Sequence, residues 1–143
     1  MASTRASRGR SGWVGRALVV AWVVFIWSRS LFPGPESTAQ SDFFVQALAP
    51  LFSALGVETG LRSFLVRKAG HFLEYLVLGV LLQLTGRSKG GIPWQRLFFG
   101  LVVPVSDETL QLLVPGRSSQ VADVLIDFAG VLVGLAVVRL RRR

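Results

Sequence analysis

Four stretches of the chain are apolar over close to the roughly 20 residues needed to cross the hydrocarbon core of a bilayer, and each is bounded by charge, proline or glycine. The first runs from about Trp13 to Phe32, flanked by Arg10 and Arg16 on one side and by Pro33-Gly34-Pro35 on the other. The second, about Phe64 to Leu84, ends in the Gly- and Lys/Arg-containing turn Gly86 to Gly91. The third, about Trp94 to Val114, stops at Pro115-Gly116, and the fourth, about Val121 to Leu140, finishes in Arg139 and Arg141 to Arg143. Trp13, Trp27 and Trp94 lie near these boundaries, where amphipathic rings sit at headgroup level. The pattern predicts an all-α membrane protein, with four transmembrane helices in a compact bundle. Residues 13–143 form one transmembrane domain behind a disordered basic tail over 1–12.

The connection from about Pro33 to Leu61 carries its own helical pattern. Ser41-Asp42 is placed to cap a helix bearing Phe43, Phe44, Leu48, Leu51, Phe52 and Leu55, with Pro50 breaking or kinking it. Such a segment either lies in the interface on the outer leaflet or packs as a lid on the bundle; both readings roof the external side.

Composition agrees with lipid as the solvent. Hydrophobic residues make up 51% of the chain and charged ones 17%, against roughly 25% charged in a soluble domain. The net charge of +8 raises nucleic acid as a partner, but no basic stripe is interleaved with stacking aromatics. The bases sit instead at the ends of the apolar runs. With four spans, Arg5, Arg8, Arg10, Arg16, Arg87, Lys89, Arg96, Arg139, Arg141, Arg142 and Arg143 share one side, eleven of the sixteen bases with no acid among them. The positive-inside rule therefore predicts that both termini and the middle turn are cytoplasmic. The basic start, apolar run and Ser37-Thr38-Ala39 also imitate a secretory signal peptide. The length of the run and its Trp- and Pro-rich end argue against cleavage, which would leave three spans without reversing the rest. There is no cysteine, which excludes disulfides, thiolate chemistry and cysteine zinc sites.

Ionisable residues inside the spans change the picture most, because each costs several kcal/mol at mid-membrane unless it faces a bundle interior or a wet cavity. In the second span Lys68, His71, Glu74 and Tyr75 are spaced by three or four and share a face. Asp107, Glu108 and Gln111 cluster in the third, and Asp123 and Asp127 lie four apart in the fourth, on the stripe of Gly130 and Gly134. At about 1.5 Å per residue, His71, Glu108 and Asp127 each fall roughly 10 Å inside the outer boundary of their span. Lys68, Gln111 and Asp123 fall about 5 Å inside it. Three helices of alternating direction thus bring polar residues to matching depths. Arg117, in the tight turn that follows Pro115-Gly116, hangs over this level. The charges there are Arg67, Lys68 and Arg117 against Glu74, Asp107, Glu108, Asp123 and Asp127: three positive, five negative, a sum of −2. The carboxylate excess favours uptake of a cation, and oxygen donors with a histidine suit a hard divalent metal; a divalent cation is thus a candidate cofactor whose coordination the sequence leaves open.

Lys68-Ala69-Gly70-His71-Phe72-Leu73-Glu74-Tyr75, then Asp107-Glu108-Thr109-Leu110-Gln111, Pro115-Gly116-Arg117 and Asp123 to Asp127 together resemble the VanZ-like membrane protein family, over roughly residues 15 to 140. The resemblance implies a four-helix protein of a bacterial inner membrane, in a family whose namesake is associated with resistance to the glycopeptide antibiotic teicoplanin.

The residues themselves support an enzyme acting at the outer leaflet on a membrane lipid or lipid-linked cell-envelope precursor. Arg117 and Lys68 would hold an anionic headgroup. His71 with Glu108 or Asp127 would supply base and acid, with Asp107 and Asp123 in the same acidic set. Glu74, Tyr75 and Gln111 would bind and orient the substrate. The alternatives are a non-catalytic ligand-binding or envelope-modifying accessory protein and a proton or ion pathway, the last weakened by an apolar cytoplasmic half. A salt-bridge network that merely holds the helices together is the bland reading, and eight or nine converging groups argue against it.

Overall fold

A computed structural model of the chain describes residues 3–86, 93–117 and 119–142. Its elements are α1 (Ser3–Ser30), α2 (Gly34–Ala47), α3 (Ala49–Ala54), α4 (Thr59–Thr85), α5 (Trp94–Gln111) and α6 (Val121–Arg141); no strand occurs among the described residues. The four apolar runs correspond to α1, α4, α5 and α6. The predicted turn from Gly86 to Gly91 lies outside the described residues beyond Gly86, as do Met1, Ala2, Ser118 and Arg143.

Three boundaries differ from expectation. The helical backbone of α1 begins at Ser3, ahead of the apolar run that starts near Trp13. The connecting helix starts at Gly34, with Pro35 in its first turn. That is the place where a fixed φ and a missing N–H cost nothing, and it puts Ser41 and Asp42 inside the helix instead of at its cap. The break attributed to Pro50 is present: α2 ends at Ala47 and Pro50 stands in the first turn of α3. α5 ends at Gln111, and the chain tightens into i→i+3 bonds from Leu113 N to Leu110 O and from Val114 N to Gln111 O.

Two turns depend on glycine. After α3, Val57 N bonds Phe52 O at 2.9 Å and Gly56 N bonds Ser53 O at 3.2 Å, with Gly56 at φ 67°. This is a Schellman stop, whose left-handed residue is best filled by glycine. Gly116, at φ 77°, uses the same left-handed freedom to turn the chain between α5 and α6.

α4 and α6 form the most extensive interface, and contacts step down both in the same direction. Lys68 meets Asp123, His71 meets Asp127, and a Cβ at Gly130 would lie 2.5 Å from the Phe72 carbonyl oxygen. One turn further on, Gly134 lies against the backbone of Leu76, Gly79 and Val80. The two helices are therefore parallel neighbours, set close by the glycine seam Gly79, Gly130 and Gly134, the small-residue device of membrane helix pairs. Val131 fits between Gly79 and Gly100, tying α5 to the same seam. Ile26, Tyr75, Leu78, Val103, Val131 and Leu135 make the core. Trp22 on α1 donates its Nε1–H to the Glu74 carbonyl oxygen at 2.9 Å.

The exterior is apolar on every long helix. Leu18 and Val24 of α1, Leu73 of α4, Phe98 of α5, and Leu125 and Leu140 of α6 are all exposed. Large exposed side chains of this kind on every long helix suit a lipid surrounding. Among the described residues, Gly12–Ser30 and Val121–Arg141 have the length and apolar composition of membrane spans. α4, at 27 residues, and α5, at 18, reach about 40 and 27 Å, long enough for most or all of a hydrocarbon core; their apolar runs are interrupted by the charged side chains of the candidate site. The chain is a helical membrane protein.

Candidate functional site

The parallel register of α4 and α6 sets the geometry. At the end of the bundle where both helices begin, Lys68 forms an ion pair with Asp123, each side chain 14% exposed. One turn deeper, His71 Nδ1 lies 3.6 Å from Asp127 Oδ1, and the Asp127 side chain is fully buried. α5 runs the other way and delivers Asp107, also fully buried, to the same level. Ligating atoms of His71, Asp107 and Asp127 all lie within 4.8 Å of one another. Spacing of four on α6, three on α4 and opposite chain direction on α5 is enough to bring these residues together.

The other predicted residues form a ring around this centre. Gln111 donates from Nε2 to Asp107 Oδ2 at 3.3 Å, the neighbouring-turn contact expected for residues four apart. Tyr75 is fully buried beside Asp107. Glu108 is buried, and its Oε2 accepts the backbone N–H of Gln120 at 3.0 Å, so it fixes the start of α6. Arg117 donates from Nε to the Phe32 carbonyl at 3.1 Å and from a terminal nitrogen to the Arg29 carbonyl at 3.5 Å. These are carbonyls at and just beyond the end of α1, where a cation is favoured.

Polar satisfaction fails at the centre. Among the described residues, His71 Nδ1, the Tyr75 hydroxyl, Asp107 Oδ1, Glu108 Oε1 and both oxygens of Asp127 are buried without a hydrogen-bond partner. Buried polar atoms are partnered in the great majority of cases, and an unmade bond costs roughly 1–3 kcal/mol, more for a charged group. The open atoms of His71, Asp107 and Asp127 are gathered within one cluster, with Tyr75 beside Asp107. A cavity of about 90 Å³ adjoins it, lined by Arg29, Ser30, Arg67, His71, Glu74 and Arg117 among others. Its wall carries three guanidinium groups against one carboxylate, so the mouth is cationic and the floor beyond His71 is acidic.

Two placements depart from what the sequence predicts. Lys68 and Asp123 neutralise each other beside the centre, and neither lines the cavity. The first apolar run, expected only to span, contributes to the site. Arg29 Nε pairs with Glu74 Oε1 at 2.9 Å, and buried Ser30 reaches the Asp107 carboxylate. α2 adds Ser41 and Phe44 to the cavity wall. Arg29 and Ser30 interrupt the run just before Phe32, and in sequence that is also how a boundary anchor looks. Arg67, counted among the charges at this level, lines the cavity.

A family model described as VanZ/LLP1 matches residues 16–142. No curated protein and no solved structure gives a match.

Proposed function

This chain belongs to the VanZ/LLP1 family, and on that premise we propose that it is a four-span protein of a bacterial inner membrane whose polar hollow opens to the outer leaflet. In this reading it acts there on a lipid or lipid-linked cell-envelope precursor, and through that substrate bears on susceptibility to teicoplanin-type glycopeptides. The observation that carries it is the pairing of a cationic mouth, Arg29, Arg67 and Arg117, with a floor of buried, unpartnered acid–base groups, His71, Asp107 and Asp127.

An amphipathic substrate suits both halves. Its anionic headgroup would sit against the arginines, whose planar forks match phosphate or carboxylate oxygens. Its tail would leave between exposed apolar helix faces. Tyr75 and Gln111 would orient the headgroup, and the floor would move protons at the bond that changes. Lys68 and Asp123, already paired, hold α4 and α6 in register instead of contacting substrate.

The test is mass spectrometry of envelope lipids and lipid-linked precursors from cells with and without the protein. A precursor that accumulates in one and is consumed in the other is the expected result; identical profiles overturn the enzyme reading. A second reading, a binder that retains its ligand without turnover, is favoured by the small cavity and would appear as stoichiometric co-purification of an unaltered lipid.

The topology has a separate check, because the chain has no native cysteine. Ser119→Cys, in the turn before α6, is expected to react with a membrane-impermeant maleimide in intact cells. Trp94→Cys, 70% exposed at the opposite end of the bundle, is expected to react only after permeabilisation. The reverse pattern overturns the orientation.

A further inference from the structure

We propose that His71, Asp107 and Asp127 form a binding site for one divalent transition-metal cation, of the Mn²⁺ or Zn²⁺ class. The inference rests on the reading of this hollow as a functional site and names what its floor holds.

The first argument is geometric. Metal–ligand bonds of about 2.1 Å place neighbouring ligand atoms roughly 3–4 Å apart in tetrahedral or octahedral sites. His71 Nδ1 and Asp127 Oδ1 stand 3.6 Å apart, too far for a good hydrogen bond and suited to two ligands of one ion. The full set lies within 4.8 Å, so small side-chain rotations close it. The three residues come from three helices joined at the glycine seam, a rigid support of the kind a metal site needs.

The second argument is what the ligand atoms lack. Asp107 and Asp127 each have 0% accessible surface. Both oxygens of Asp127 and one of Asp107 have no donor among the described residues. Three neighbouring cations are already engaged: Lys68 by Asp123, Arg29 by Glu74, and Arg117 by the carbonyls that end α1. Two carboxylates and a neutral imidazole around a dication sum to zero charge, which removes the burial penalty on both acids together. The Tyr75 hydroxyl, fully buried, stands beside the Asp107 carboxylate. It is placed to donate to a metal-bound oxygen or to a ligand carboxylate, as outer groups of metal sites do.

The donor set decides the class. One nitrogen and carboxylate oxygens, with no sulfur, suit Mn²⁺ or Zn²⁺ over soft ions. Three protein ligands leave positions open toward the cavity that His71 lines, where a water or a phosphate oxygen would bind.

The experiment uses the full chain purified in detergent, stripped with chelator, and titrated with Mn²⁺ alone or Zn²⁺ alone. Mn²⁺ is followed by electron paramagnetic resonance, and both ions by elemental analysis after dialysis. The expected result is about one ion per chain, with Asp127→Asn and Asp107→Asn each weakening binding at least tenfold while Asp42→Asn, an acid outside the cluster, leaves it unchanged. His71→Cys supplies the control for misfolding: its thiolate is expected to shift preference toward Zn²⁺ and away from Mn²⁺, a change that loss of structure does not produce. Stoichiometry near zero in the wild type, or equal binding in Asp127→Asn, overturns the proposal. A protein that binds no ion yet still alters envelope lipids overturns the metal site alone. A metal-loaded protein that leaves those lipids unchanged overturns the enzyme reading alone.

Discussion

Asp127→Asn is expected to raise the thermal midpoint of the chelator-treated protein in detergent while abolishing its effect on envelope lipids. The reason is that Asp127 is fully buried, its Oδ1 3.6 Å from His71 Nδ1 and neither oxygen within normal hydrogen-bond distance of a donor among the described residues. A buried charge without compensation costs several kcal/mol, and a neutral group of nearly the same shape relieves it. A stabilisation on the order of 1–3 kcal/mol is the expected size, after allowing for the unmet hydrogen bonds of the new amide. The same change removes the partner of His71 and a proposed ligand, so turnover is expected to fall by about 10²- to 10⁴-fold. His71→Ala is expected to produce a loss of the same order with normal accumulation in the membrane. Stability and activity moving in opposite directions is the signature of a site maintained against folding. If Asp127 instead served to bind α6 to a charged His71, its removal would cost about 3–5 kcal/mol. A fall of that size, with folded protein lost, would sink the functional reading.

Gly134→Leu is expected to remove folded protein from the membrane altogether. A Cβ at this position would lie 2.8 Å from the Val80 amide nitrogen and 3.0 Å from the Gly79 Cα, and closer still to the Leu76 carbonyl. These are backbone atoms on α4 and cannot swing aside, so the helices must separate. Overpacking costs about 1–3 kcal/mol and more where backbone must give way, and separation also pulls His71 away from Asp127. Gly60 is the internal comparison, because a Cβ there would meet nothing within 4 Å. Gly60→Ala on α4 is expected to be neutral or to stabilise by up to about 1 kcal/mol. The check is the yield of monodisperse protein in detergent and its thermal midpoint; equal behaviour of the two variants would show that the seam does not hold the bundle.

Much of this is legible along the chain because membrane helices make sequence periodicity and depth nearly sufficient. Hydrophobic runs locate α1, α4, α5 and α6. Rise per residue places His71, Asp127 and the Asp107-Glu108 pair near one level, and the i, i+4 spacing of Asp123 and Asp127 against Lys68 and His71 gives two rungs of contact. What escapes is azimuth: periodicity says which residues of one helix share a face, and leaves open which neighbour that face meets. Lys68 therefore reads as a headgroup anchor until the parallel register hands it to Asp123. Glu108 reads as central until its carboxylate is found holding the Gln120 amide. Arg29 and Ser30 are hidden for a different reason, since a base that ends an apolar run has an ordinary explanation already. The start of α2 is obscured because Ser41-Asp42 is a good cap signal, while Pro35 opens a helix well before it through its fixed φ.

The contact between Arg117 and the last carbonyls of α1 has a consequence for entry. Any anion that recruits this guanidinium competes with the Phe32 and Arg29 carbonyl oxygens, so full engagement of the headgroup undoes the clasp on α1. Arrival of the proposed ligand and loosening of the Arg117 contact would then be two descriptions of a single equilibrium. By reciprocity, whatever frees the α1 carbonyls from Arg117 would strengthen the hold of that guanidinium on the proposed ligand.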